Sequence, residues 1–129
     1  MTTETGAISV LDACLGEVLR IDGVRAAVLI DPATGMIICS AGELNARLAE
    51  AADSMADEIR AVMNATGSQL GGDGLEEISV LTQRRCHLLE VIELSAGGSL
   101  VLFVEVDRAM SNVALAGWHI RQLLPTLLG

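Results

Sequence analysis

Residues 22–42 read Asp22-Gly23-Val24-Arg25-Ala26-Ala27-Val28-Leu29-Ile30-Asp31-Pro32-Ala33-Thr34-Gly35-Met36-Ile37-Ile38-Cys39-Ser40-Ala41-Gly42, and this stretch decides the fold. Two apolar runs, Val24 to Asp31 and Met36 to Ala41, flank the segment Asp31-Pro32-Ala33-Thr34-Gly35. Pro presets φ and Gly accepts positive φ, so the segment has turn chemistry and the two runs form a hairpin. In the first strand Val24, Ala26, Val28 and Ile30 face one way and Ala27 and Leu29 the other. A strand apolar on both faces has to be covered on both.

Working outward, Ile8, Leu11, Leu15, Val18 and Leu19 recur at helical spacing on the N-terminal side. They predict a helix from Ala7 to Arg20, started by Thr3 or Thr5 and ended by Asp22-Gly23. On the C-terminal side a long helix runs from Leu44 to Thr66, its core stripe made by Leu44, Leu48, Ala51, Ala52, Met55, Ile59, Val62 and Met63. The Gly-rich loop 67–74 follows. Its Gly71-Gly72-Asp73-Gly74 precedes a strand and lacks a Lys, so it is not a phosphate loop. Strands are expected at Leu75 to Gln83, Cys86 to Leu94 and Ser99 to Asp107, and their short connections make them antiparallel neighbours. A last helix spans Arg108 to Leu124, with Asp107 as its cap and Pro125 ending or bending it. Gly117 inside it costs about 1 kcal/mol relative to Ala unless close packing requires it. The order is α-β-β-α-β-β-β-α. Three amphipathic helices covering a two-sided apolar sheet make a three-layer α/β/α sandwich, one domain over residues 1–129.

Composition narrows the function. The 129 residues are 51% apolar and 2% aromatic, so an aliphatic core is expected. The net charge of −9 disfavours nucleic acid and anionic membrane surfaces as partners. No apolar run is long enough for membrane insertion. All eight basic residues are Arg. Without Lys there is no Schiff-base or P-loop lysine, and the bias is that of a high-GC, actinobacterial type of genome. Cys14, Cys39 and Cys86 are unevenly spaced with no CxxC pair, so neither disulfides nor zinc are expected and a cytoplasmic setting fits. No signal peptide, cofactor or metal site is read.

The chemically able residues have local explanations. Cys86 and His87 are neighbours on a strand and point to opposite faces, which is a poor geometry for a dyad. His119 beside Trp118 reads as a structural or surface group. Asp31 opens a turn and Asp107 can cap a helix. Glu90 falls on the apolar side of the fourth strand with Cys86, Leu88, Ile92 and Leu94. It either reaches water near an edge or meets an Arg. The third strand, with Ile78, Val80 and Thr82, starts a meander and is expected at a sheet edge, where an apolar strand invites pairing; Glu76 and Glu77 are there as possible gatekeepers. Ala49, Ala52, Ala56 and Met63 lie along one flank of the middle helix, either as a close-packing surface for another helix or as Ala-rich filler.

The 22–42 segment, the Ala-rich helix and the three-strand meander resemble the roadblock/LC7 family over nearly the whole chain. The chain resembles a bacterial member of that family, either MglB-like or an actinobacterial, GTPase-associated one. It implies a five-stranded antiparallel sheet ordered 2-1-5-4-3, with the middle helix on one face and the terminal helices on the other. It also implies a homodimer joined through the third strand and middle helix, here Ala49, Ala52, Ala56, Met63, Ile78, Val80 and Thr82. The partner it implies is a small Ras-like GTPase, regulated by a non-catalytic module. Glu50, Asp53, Asp57 and Arg60 lie opposite the core stripe and would face that GTPase. Arg60 as an arginine finger is the weaker reading, since surface arginines are more often solvated or paired. The competing class is a small-molecule sensor of PAS/GAF-like or longin/profilin-like shape, which needs an interior pocket with converging polar groups.

Overall fold

The computed structural model describes residues 3–43, 45–69, 77–93, 98–110 and 112–128, with side chains over 10–43, 45–61, 77–93, 98–110 and 112–124. The elements are α1 (Thr3–Leu19), β1 (Val24–Ile30), β2 (Ile37–Gly42), α2 (Ala46–Gln69), β3 (Glu77–Leu81), β4 (Arg85–Glu93), β5 (Ser99–Asp107) and α3 (Val113–Leu128). The sheet is antiparallel throughout and ordered β2-β1-β5-β4-β3.

The hairpin at the start of the sheet forms as its sequence dictates. Asp31 Oδ1 accepts a hydrogen bond from the Ala33 N–H, the Asp31 carbonyl accepts one from Gly35, and the Asp31 N–H donates to the Met36 carbonyl. Gly35 takes φ +76°, which its missing Cβ permits. β1 is an interior strand, between β2 and β5, and is buried on both sides from Ala26 to Ile30, the burial its two apolar faces require.

Alternation splits the interior into two cores. Ala27, Leu29, Leu88, Leu102, Val104 and Val106 face α1 and α3 and pack against Leu15, Val18, Ala116 and Ile120. Ala26, Val28, Ile30, Leu89, Val101 and Phe103 face α2 and pack against Leu48, Ala52, Ala56 and Ile59. Phe103, the one Phe, is fully buried in the second core. The result is the three-layer sandwich.

Several boundaries differ from the sequence expectation; α1 begins earlier, at Thr3, and α2 runs from Ala46 to Gln69. α3 starts at Val113, not Arg108. Asp107 caps a turn instead, accepting from the N–H groups of Ala109 (side chain) and Met110 (carbonyl), and Asn112 Oδ1 accepts from the Leu115 N–H at the true helix start. The helix also continues past position 125 to Leu128. Within it, Gly117 is buried beneath Arg121, and an added Cβ would lie 3.2 Å from Arg121 Nη1. That neighbour is the far end of a flexible, half-exposed side chain, so close packing against it does not by itself require glycine in mid-helix. β3 is shorter than expected, and residues 75 and 76 lie outside the described ones.

Candidate interaction surfaces

α2 carries most of the residues singled out in the sequence. Leu48, Ala52, Ala56 and Ile59 form its buried stripe. Ala52 and Ala56 are therefore not on a flank open to another helix. They lie beneath the helix, against Ala26, Val28 and Phe103, because small side chains at the centre of the stripe let α2 sit close to the sheet. Ala49 is half-buried, and Met63 lies outside the described side chains.

The two flanks of α2 meet different ends of the sheet. Asp53 and Arg60 reach the β1–β2 turn, each with an atom 3.9 Å from the position of a Cβ at Gly35. By helical spacing Ala49 shares that flank. Ala51, Met55 and Glu58 lie on the opposite flank. Met55 packs onto the rim of the α2 core, as does Ile78 of β3. The flank turned toward the β3 side is thus Ala51, Met55 and Glu58; the sequence reading put Ala51 and Met55 in the core stripe, whereas both are half-buried at its side.

On the outer face of α2, Glu50, Asp53 and Asp57 are exposed. Arg60 differs from its three neighbours. Its Nη2 pairs with Asp57, one turn earlier, and its Nη1 donates to the Ala33 carbonyl at 3.4 Å. It is a strut between α2 and the β1–β2 turn, which speaks against a free arginine finger.

β3 pairs with β4 alone, so its outer edge is open. Val80 is 37% exposed and Leu81 55%, while Ile78 is half-buried. Thr82 lies past the strand end and is used to close the β3–β4 turn. Its N–H donates to the Arg85 carbonyl and its Oγ1 accepts from the Arg85 N–H. Backbone alternation then directs the amides of Ile78 and Val80 toward β4 and those of Glu77, Ser79 and Leu81 outward. β2 is the other open edge, with Met36, Ile37 and Ile38 exposed.

Two polar clusters sit in the sheet. On the α2 face His87 Nε2 lies 3.0 Å from Glu105 Oε2, and Glu105 also meets Arg47 at 3.4 Å and Arg85 at 3.7 Å. His87 and Glu105 are cross-strand partners, a relation that register alone decides. Cys86 lies on the opposite face in the α1/α3 core, as the strand alternation predicts. On that face Glu90, 4% exposed, shares Arg121 with Glu77. Arg121 Nη1 is 2.6 Å from Glu77 and 3.4 Å from Glu90. Glu90 thus meets an Arg, one of the two outcomes its sequence position allowed. Burial, reinforced by the neighbouring Glu77 and opposed by Arg121, raises the Glu90 carboxyl to about 7. Burial also raises all three thiols, Cys39 to about 11, so they are protonated at neutral pH and poor nucleophiles.

Among the described residues no three His, Cys, Asp or Glu side chains gather as metal ligands, and no helix is long and apolar enough to cross a membrane.

No family model and no curated protein sequence matches the chain. Solved structures do. Myxococcus xanthus MglB superposes with a TM-score of 0.70 at 18% identity, over 91% of this chain and 86% of that one. An MglB described in a tetrameric arrangement gives 0.66 at 24% identity, over 93% and 88%. A roadblock/LC7 domain from Streptomyces avermitilis gives 0.63 at 19% identity, over 89% and 92%. With the strand order, the helix placement and near-complete coverage agreeing, the chain has the roadblock/LC7 fold.

Proposed function

We propose that this protein is a non-catalytic homodimeric module that binds and regulates a small Ras-like GTPase. The observation that carries the reading is the outer face of α2. Glu50, Asp53 and Asp57 lie exposed along it, and Glu50 and Asp53 have no side-chain partner among the described residues. An acidic face of this kind favours encounter with a basic patch on a partner. The fold it shares with MglB supports a place in GTPase regulation, and the MglB of tetrameric arrangement supports self-association. The dimer surface joins the apolar β3 edge, Ile78 and Val80, to the adjoining α2 flank of Ala51, Met55 and Glu58. Two such halves set the acidic faces side by side. Protonated thiols and the absence of Lys support a module without chemistry of its own.

The experiment is association kinetics against the small Ras-like GTPases of the source cell, each loaded with a GTP analogue. Charge reversal by Asp53→Arg with Asp57→Arg should slow association with the cognate GTPase about tenfold at low salt and leave dimerisation unchanged. Equal association rates for parent and double variant would show that α2 is the wrong surface.

A further inference from the structure

Five of the eight arginines gather at one end of the sheet, where the β3–β4 turn meets the β5–α3 connection. Three are paired. Arg25 meets Asp107 and Glu43, and Arg47 and Arg85 both meet Glu105. Arg84 and Arg108 meet no carboxylate among the described residues. Arg84 makes no described side-chain contact at all, and Arg108 Nη1 donates to the Thr82 carbonyl. These two exposed guanidiniums flank an open groove of about 540 Å³ lined by Gln83, Arg84, Arg85, Asp107, Arg108 and Ala109. In a chain of net charge −9 such a concentration of unpaired cations stands apart. Asp22, a further carboxylate in the nearby α1–β1 turn, lines a separate groove between α1 and α3.

We propose that this groove docks an extended acidic segment of a partner protein. The surface is distinct from the outer face of α2, and the proposal does not rest on the GTPase reading. Its occupant follows from what the groove offers. A compact phosphate dianion is best held where free backbone N–H groups converge with the cations. Here the amides of Arg108, Ala109 and Met110 are already committed, to the Arg84 carbonyl, Asp107 Oδ1 and the Asp107 carbonyl. Carboxylates spaced along an extended chain need no such cradle of amides, because each can meet one guanidinium, that of Arg84 or that of Arg108. Gln83 adds an uncharged donor beside them.

The test is fluorescence anisotropy of a labelled oligoglutamate peptide titrated with the full chain. The expected result is saturable binding that falls with added salt and weakens about tenfold in the Arg84→Ser variant, and further when Arg108→Ser is added. Arg84 has no described contact to lose, so the single variant keeps its fold, as an unchanged thermal melt would confirm. Arg20→Ser, which removes an exposed cation paired with Glu17 away from the groove, should bind like the parent. An equal loss in the Arg20 variant would reduce the effect to overall charge and overturn the proposal. So would absence of peptide binding. Calorimetric binding of inorganic phosphate, or cosedimentation with phosphatidylserine vesicles, that exceeds peptide binding and depends on Arg84 would overturn it in favour of another occupant.

Discussion

At Gly42 β2 closes with φ +87°, and a Cβ there would lie 2.4 Å from the Arg25 carbonyl oxygen and 2.9 Å from Leu19. Neither the backbone oxygen nor the core can yield that space. Gly42→Ala should therefore destabilise the fold by about 2–3 kcal/mol, read from urea unfolding; a loss below about 0.5 kcal/mol would mean the turn relaxes freely. Glu90 makes a different residue-scale prediction. Its folded value of about 7 stands above the ordinary value of 4.5, so the native state holds the proton where the unfolded chain has released it. Stability falls as pH rises from about 4.5 through about 7 and levels off above, a change on the order of 3 kcal/mol. Glu90→Gln should flatten that part of the melting-temperature profile. A parent and variant with parallel profiles would remove Glu90 as the source. The sequence placed Glu90 on an apolar face, but the Arg that meets it comes from α3 and the second carboxylate from β3, relations that strand parity does not contain.

At the scale of the element, β3 carries the dimer prediction. Its outward amides belong to Glu77, Ser79 and Leu81, while Ile78 and Val80 bond toward β4. Proline at position 79 removes an outward donor and spares the inner ladder, and edges tolerate proline. Ser79→Pro should therefore give a folded monomer where the parent is a dimer, with light scattering as the readout. A parent that is monomeric at micromolar concentration, or a Ser79→Pro variant that stays dimeric, would exclude pairing through this edge. α2 shows how far periodicity reaches within one element. Leu48, Ala52 and Ile59 were legible as its buried side, and Asp53 and Asp57 as its outer side, because a helix repeats its directions every few residues. Ala56 was assigned to a flank and lies in the core. A turn of about 40° in the setting of the helix is enough for that difference, and that setting is made by the sheet below.

At the scale of the molecule, both sheet faces are filled mainly by aliphatic side chains, with Phe103, His87, Glu90 and Glu105 buried among them, and the two grooves among the described residues open at the surface. The sequence by itself determined the kinds and order of the elements, the antiparallel meander and the need for helices on both faces. Each follows from local signals: a period of two or of 3.6 residues, a Pro-x-x-Gly turn, and connections too short for crossovers. The strand order came with the family resemblance. Tertiary structure alone decided that Arg60 is a strut, that His87 faces Glu105, that Met55 and Ile78 share the rim of one core, and that Arg84 and Arg108 share a groove. These pairs lie in different elements, and their meeting depends on cross-strand register and on the rotation of each helix over the sheet. Both are set by packing between segments distant in the chain, which no local period encodes.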